Sequence, residues 1–125
     1  MEGKKKRPGG GGGTPRAGAR ELAYDLTRRV NEGGAYLGLL LRYSLGRARL
    51  DPRDRSLVVE LCYGVQRHRN LLDHIVSLAS YRPLAEIDAA TLDVLRLGVY
   101  QLYRMGVPRH AAVNESVALA RSRSG

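Results

Sequence analysis

Apolar residues recur every three or four positions along most of this chain, the spacing that gives a helix one oily face. Ala19, Leu22, Ala23, Leu26 and Val30 make the first such stripe, opposite Arg20, Glu21, Asp25, Arg28 and Arg29, and Gly33-Gly34 ends it. A second helix is predicted over 35–45, where Leu37, Leu39, Leu40, Leu41 and Leu45 would bury it on most sides before Gly46 closes it. Asp51-Pro52 then writes a firm helix start. The aspartate can accept from an orphan backbone N–H, and a proline at the first helical position loses no hydrogen bond. Asp54, at the third position, can reach back toward that cap, and the inner stripe that follows is Leu57, Val58, Leu61, Cys62 and Val65.

Arg67-His68-Arg69-Asn70 interrupts the stripe, and Asn70 with Asp73 predicts a fresh cap for a fourth helix carrying Leu71, Leu72, Ile75, Val76 and Ala79. Asp88 caps a fifth, in which Leu92, Leu95, Val99 and Leu102 share one face, Gly98 permits a close neighbour, and Tyr100 and Tyr103 flank. Val107-Pro108 opens a sixth with Val113, Val117 and Ala120 as its stripe. With no credible strand and no internal repeat, the fold class is all-α, a compact bundle of about six helices with short connections. Residues 1–15, lysines followed by Gly9 to Gly13 and Thr14-Pro15, have nothing to bury and are expected to form a disordered basic arm. One domain, over 16–125, is all that a chain of this length supports.

Composition adds a partner. Phe and Trp are absent, so the interior must be Leu, Val, Ala and Ile with some Tyr, which suits helix packing. The net charge is +9, and the first twenty residues hold Lys4, Lys5, Lys6, Arg7, Arg16 and Arg20 against Glu2 alone. The rest of the excess is arginine only, the residue that pairs bidentately with phosphate and stacks on exposed bases. A polyanion such as RNA is the natural partner; the bland reading is a basic surface that merely keeps the protein soluble. The single cysteine excludes an internal disulfide and suits a reducing cytoplasm, and no apolar run approaches the ~18 residues needed to span a bilayer. A cytoplasmic location is expected.

Candidate chemistry is thin. His68 and His74 fall on different helix faces, and with His110 they find no carboxylate to complete a ligand set, so no metal is expected. Cys62 shares a stripe with Leu57 and Leu61 and reads as a buried thiol rather than a nucleophile. No Ser-His-Asp arrangement exists, and the glycine run lacks the strand and helix of a phosphate loop. No catalytic residue and no cofactor are therefore assigned. Asn114-Glu115 either fixes a neighbouring helix or forms a solvated face. Arg53 and Arg55 either face solvent as a phosphate-binding pair or fold back onto Asp51, Asp54 or Glu115.

Three blocks carry a family likeness: Pro52-Arg53-Asp54-Arg55 with Glu60-Leu61-Cys62-Tyr63-Gly64 one turn later, Leu95-Arg96-Leu97-Gly98-Val99-Tyr100-Gln101-Leu102, and His110-Ala111-Ala112-Val113-Asn114-Glu115-Ser116-Val117. In this order and spacing they resemble the NusB family of small helical RNA-binding domains, over roughly Arg16 to Arg121. Two groups share that domain: free-standing antitermination factors, and the N-terminal domain of RsmB-type enzymes that methylate cytosine in small-subunit ribosomal RNA. The wording from Val107 to Ser116 looks closer to the second. The resemblance implies binding of single-stranded or ribosomal RNA through an arginine-rich N-terminal edge, here Arg16, Arg20 and the preceding Lys4, Lys5, Lys6 and Arg7. Arg53 and Arg55 join that set on charge. A ribosomal protein or a transcription complex is a further implied partner. The family's last helix and the methyltransferase domain are absent, so the chain reads as a truncated piece. The expected function is a non-catalytic RNA-binding domain, acting in transcription antitermination or docking ribosomal RNA for a methyltransferase. The alternative is a helical protein-interaction module with an incidental basic tail.

Overall fold

The computed structural model describes residues 18–123. The predicted arm over 1–15, with Lys4, Lys5, Lys6 and Arg7, and also Arg16 lie outside them. Six α-helices follow one another: α1 (Ala19–Gly33), α2 (Leu37–Arg47), α3 (Pro52–Arg67), α4 (Arg69–Ala79), α5 (Ala89–Tyr103) and α6 (Arg109–Arg123). One 3-10 turn over Leu84–Glu86, not foreseen in the sequence, bridges α4 and α5. The described residues contain no strand, and no helix among them is long and apolar enough to cross a membrane.

Local chemistry sets most of the boundaries. Gly34 ends α1 in the left-handed region (φ 72°), where a side chain would be strained, and donates its N–H to the Val30 carbonyl. Asp51 starts α3 by accepting the Asp54 N–H at 2.8 Å, with Pro52 at the first position; the cap comes from Asp51's own side chain rather than from Asp54 reaching back. Asp88 starts α5, accepting the Thr91 N–H at 3.0 Å and its hydroxyl at 2.8 Å. Those contacts, the hydroxyl first, hold the Asp88 carboxyl below its ordinary range. Between α3 and α4 the break falls at His68 alone; Asn70 lies inside α4 rather than capping it, and Asp73 is engaged elsewhere.

The core forms where α1 lies along α3, joining Ala23 and Leu26 to Val58, Leu61, Cys62 and Val65, with Leu72 of α4, Val94, Leu97 and Tyr100 of α5 and Leu119 of α6 closing it. Two glycines let helices approach. A Cβ on Gly64 of α3 would stand 2.1 Å from the Tyr100 ring, and one on Gly98 of α5 would meet Ser116 Oγ of α6 at 2.5 Å, the close neighbour expected there.

Three predicted faces need correction. Helix α2 buries only Leu37, Leu40 and Leu41, leaving Leu39 exposed and Leu45 half-buried, because α1 and α3 cover one side of it alone. In α6 the buried residues are Ala112 and Leu119; Val113, Val117 and Ala120 are exposed, since the approach at Gly98 selects the small Ser116 face. In α5 the helix is rotated so that Asp93, Val94, Arg96, Leu97, Tyr100 and Gln101 are buried, while Leu92, Leu95 and Val99 are half-covered and Leu102 is exposed.

That rotation has an electrostatic cause. Asp93 (1% exposed) accepts from Arg28 NH1 at 2.8 Å, Arg96 NH1 at 2.9 Å and Asn31 Nδ2 at 2.9 Å. Arg96 (5% exposed) also grips Asp73 through Nε at 2.6 Å and NH2 at 3.1 Å. Two arginines face two aspartates, with Glu32 on the exposed rim 3.3 Å from Arg28, and the cluster ties α1, α4 and α5 together. Burial disfavours the Arg96 charge, yet the hydrogen bonds and attraction of Asp73 and then Asp93 outweigh it and raise its pKa. Arg28, expected on a solvated face, is held here, its pKa raised chiefly by the bond to Asp93.

Candidate nucleic-acid interface

At the N-terminal edge of the bundle, the first turn of α1 is braced by the Gly18 N–H donating to Glu21 Oε1 at 3.0 Å. Arg20 is half-buried and donates Nε to Gln101 Oε1 at 2.6 Å; Gln101 is itself fixed by its amide nitrogen donating to the Leu97 carbonyl at 3.1 Å. This anchor leaves the two terminal nitrogens of Arg20, four N–H donors, without a partner among the described residues at the C-terminal end of α5, where the helix dipole favours a cation. Tyr103 and Arg104 follow directly, with the guanidinium 6.0 Å from the exposed ring centroid.

The neighbouring acids share one arginine. Arg123, at the end of α6, donates to both carboxylate oxygens of Asp25 at 2.8 Å and lies 3.6 Å from Glu21. Its pKa is raised, mainly by the Asp25 bond. Arg123 therefore offsets one of the two carboxylate charges nearest Arg20 in sequence, which lessens their repulsion of an incoming phosphate.

The structure separates the pair at the start of α3. Arg53 is exposed, whereas Arg55 NH1 donates to the Leu45 carbonyl at 2.7 Å and caps the C-terminal end of α2. Arg55 also lines an open groove of about 500 Å³ with Ser56, Glu60, Tyr63 and Arg67. Asn114 and Glu115 are both exposed.

No group of three His, Cys, Asp or Glu among the described residues could hold a metal ion. Cys62 is buried, its Sγ 3.8 Å from the Ala23 carbonyl, and burial pushes the thiol up to about 12 against a weaker opposing hydrogen bond from Thr27. At neutral pH it stays protonated and shielded. An aromatic disulfide reagent should label Cys62 only as fast as the bundle opens, and at the rate of a free thiol in denaturant; rapid native labelling would show an accessible thiol instead.

The described residues thus form an all-α bundle closed by a buried ion cluster, with exposed arginines outside it. The chain belongs to the NusB family, which matches it over residues 17–125. It is 41% identical over 102 residues to a putative methyltransferase of Mycobacterium tuberculosis, covering 82% of this chain and 22% of that protein. Similarity to the probable ribosomal RNA small subunit methyltransferase B of Synechocystis is 35% over 105 residues, 83% of this chain and 24% of the relative. For ribosomal RNA small subunit methyltransferase B of Vibrio vulnificus it is 32% over 112 residues, 88% and 24%. The chain thus spans about a quarter or less of the length of the curated relatives it matches.

Proposed function

We propose that this chain is a non-catalytic RNA-docking domain that presents small-subunit ribosomal RNA to a cytosine methyltransferase domain, and that it works in the cytoplasm. The observation that carries the reading is the family match together with relatives named as methyltransferases, of which this domain accounts for under a quarter. The charge supports it: +9 overall, weighted to the N-terminal end. In this reading Lys4, Lys5, Lys6, Arg7, Arg16 and Arg20 supply phosphate-binding charge, Arg20 in a fixed orientation, and Arg53 and Arg55 extend the basic surface at α3. A role in antitermination uses the same surface but draws no support from the relatives' names.

Binding to a single-stranded RNA should be mainly electrostatic. If four to six phosphates are neutralised, log K should fall against log salt with a slope of roughly −3 to −4, from about 0.7 per contact. The double change Arg16→Ala, Arg20→Ala should weaken binding to unrelated sequences alike and lower the slope by about 1 to 1.5. Gel shifts at several salt concentrations measure both. A slope near zero, or a larger loss from His74→Ala than from the arginine pair, would favour the protein-interaction reading.

A further inference from the structure

Helix α2 carries surface that neither its packing nor the N-terminal edge explains. Tyr36 (80% exposed), Leu39, Tyr43 (61% exposed) and Arg47 are spaced by three and four residues, and so form one stripe turned to solvent. The Arg47 guanidinium sits 5.3 Å over the Tyr43 ring. Tyr36, the cap residue just before α2, and Tyr43 within it are seven residues apart, about 10 Å along the axis at 1.5 Å per residue.

The chemistry of the stripe narrows what it fits. Residues 33–50 contain Arg42, Arg47 and Arg49 and no carboxylate, while Asp51, the next acid, accepts from the Asp54 N–H. A face meant only for solubility would intersperse both signs of charge and keep aromatic rings out of water. Tyr and Arg are also common in protein interfaces, so the lack of any acid over 33–50 is what favours a polyanion as the partner. Exposed rings interleaved with arginines, with no acid between them, match what a single strand offers. Each base has a π-face to stack on a ring, and each intervening phosphate is an anion for a guanidinium. Arg47 can lie over Tyr43 and still donate its N–H edge to a phosphate, since the guanidinium is planar with five donors.

At the seam with α3, the Tyr63 hydroxyl lies 3.4 Å from where a Cβ on Gly38 would stand, and Leu45 forms one wall of the groove that holds Arg67. Glu60, the carboxylate lining that groove, accepts a hydrogen bond from Tyr100. The basic surface therefore continues from α2 across to α3.

We infer that the outer face of α2 is a second contact for single-stranded RNA, with bases stacking on Tyr36 and Tyr43 and phosphates held by Arg42 and Arg47. This deepens the RNA-docking reading and rests on it. It extends the bound strand past the N-terminal edge and adds a component of binding that salt does not screen.

The test uses the full chain and a fluorescently labelled twelve-nucleotide uridine-rich RNA, with anisotropy titrations at several salt concentrations. Tyr36→Ala, Tyr43→Ala should weaken binding at least about tenfold and leave the salt slope unchanged, because stacking releases no counterions. Tyr36→Phe, Tyr43→Phe keeps the π-faces and should bind as the parent does. Arg42→Ala, Arg47→Ala should lower the slope by about 1.4, two contacts at 0.7 each. If the alanine pair loses helical circular dichroism, the arginine pair and its slope decide the question. An unchanged affinity in the alanine pair, while Arg16→Ala, Arg20→Ala weakens binding, overturns this inference and leaves the RNA reading standing. Failure of the parent chain to bind RNA at any salt overturns both. Loss of self-association by the alanine pair in sedimentation, with RNA affinity intact, would make the stripe a protein contact and also overturn the inference.

Discussion

Asp93→Ala should destabilise the bundle by about 3–5 kcal/mol, because it leaves Arg28 and Arg96 without the carboxylate they share. Arg96 retains Asp73 and Arg28 retains Glu32 at 3.3 Å on the exposed rim, but both arginines lose their buried partner and Asn31 its acceptor in a site of low polarity. A loss of that size is comparable to the whole stability of a small domain, so the variant should be largely unfolded at 37 °C or melt more than 10 °C early. The sharper test replaces the ions together. In Asp93→Leu, Arg96→Met the two buried charges go together, while Arg28 and Asp73, left behind, are 19% and 24% exposed and can turn to solvent, so stability should recover much of the loss. Urea unfolding of the single and double variants decides it. A single variant within ~1 kcal/mol of the parent would mean that the cluster contributes nothing.

The second large effect is expected at Gly64. Alanine is normally better than glycine in a helix interior by roughly 0.5–1 kcal/mol, so on propensity alone Gly64→Ala should stabilise α3. Here the new Cβ would stand 2.1 Å from Tyr100 Cζ and 2.2 Å from Oη, well inside contact distance. The ring cannot simply swing away, because its hydroxyl donates to Glu60 and its face stacks near His68, with ring centroids 6.1 Å apart. Overpacking of this kind costs about 1–3 kcal/mol or more and should outweigh the propensity gain, for a net loss near 2 kcal/mol. Trimming the obstacle should reveal the coupling: Gly64→Ala, Tyr100→Leu ought to be more stable than the two single losses added together, by ~1 kcal/mol or more. Strict additivity would show that the contact at Gly64 constrains nothing.

Helix starts and stops were legible in the sequence wherever the determinant is local. Asp51-Pro52, Asp88 and Gly34 act on backbone groups within a turn, and all three sit where their chemistry predicts. The inner stripe of α3 was equally readable, because Val58, Leu61, Cys62 and Val65 have no polar competitor for the interior. The face of α5 was not. Periodicity favours the wholly apolar row through Leu95 and Leu102, whereas the buried row includes Asp93 and Arg96, whose partners Arg28 and Asp73 lie 65 and 23 residues away. Only the assembled fold shows that those charges are matched and can go inside.

The same limit applies to the candidate interface. Arginines could be counted from the sequence but not sorted into those employed within the bundle and those facing outward. Arg28, Arg96 and Arg123 are bound to carboxylates, and Arg55 has a carbonyl. The tyrosines divide in the same way. Tyr24 and Tyr100 are buried and their hydroxyls raised in pKa, first by that burial, while Tyr36 and Tyr43 face solvent. For α2 the signal was present as an absence of acids between Glu32 and Asp51, but its meaning depends on which side of the helix the neighbours cover.

The clasp of Arg123 on Asp25 and Glu21 brings the last turn of α6 onto the first turns of α1, within the reach of one arginine side chain. The clasp joins residues far apart in the sequence, Asp25 and Arg123 being 98 positions apart, yet it lies on the rim and not in the interior. Water and salt reach it there, so rising ionic strength should loosen α6 from α1 while the buried ion cluster still holds α4 and α5 to α1.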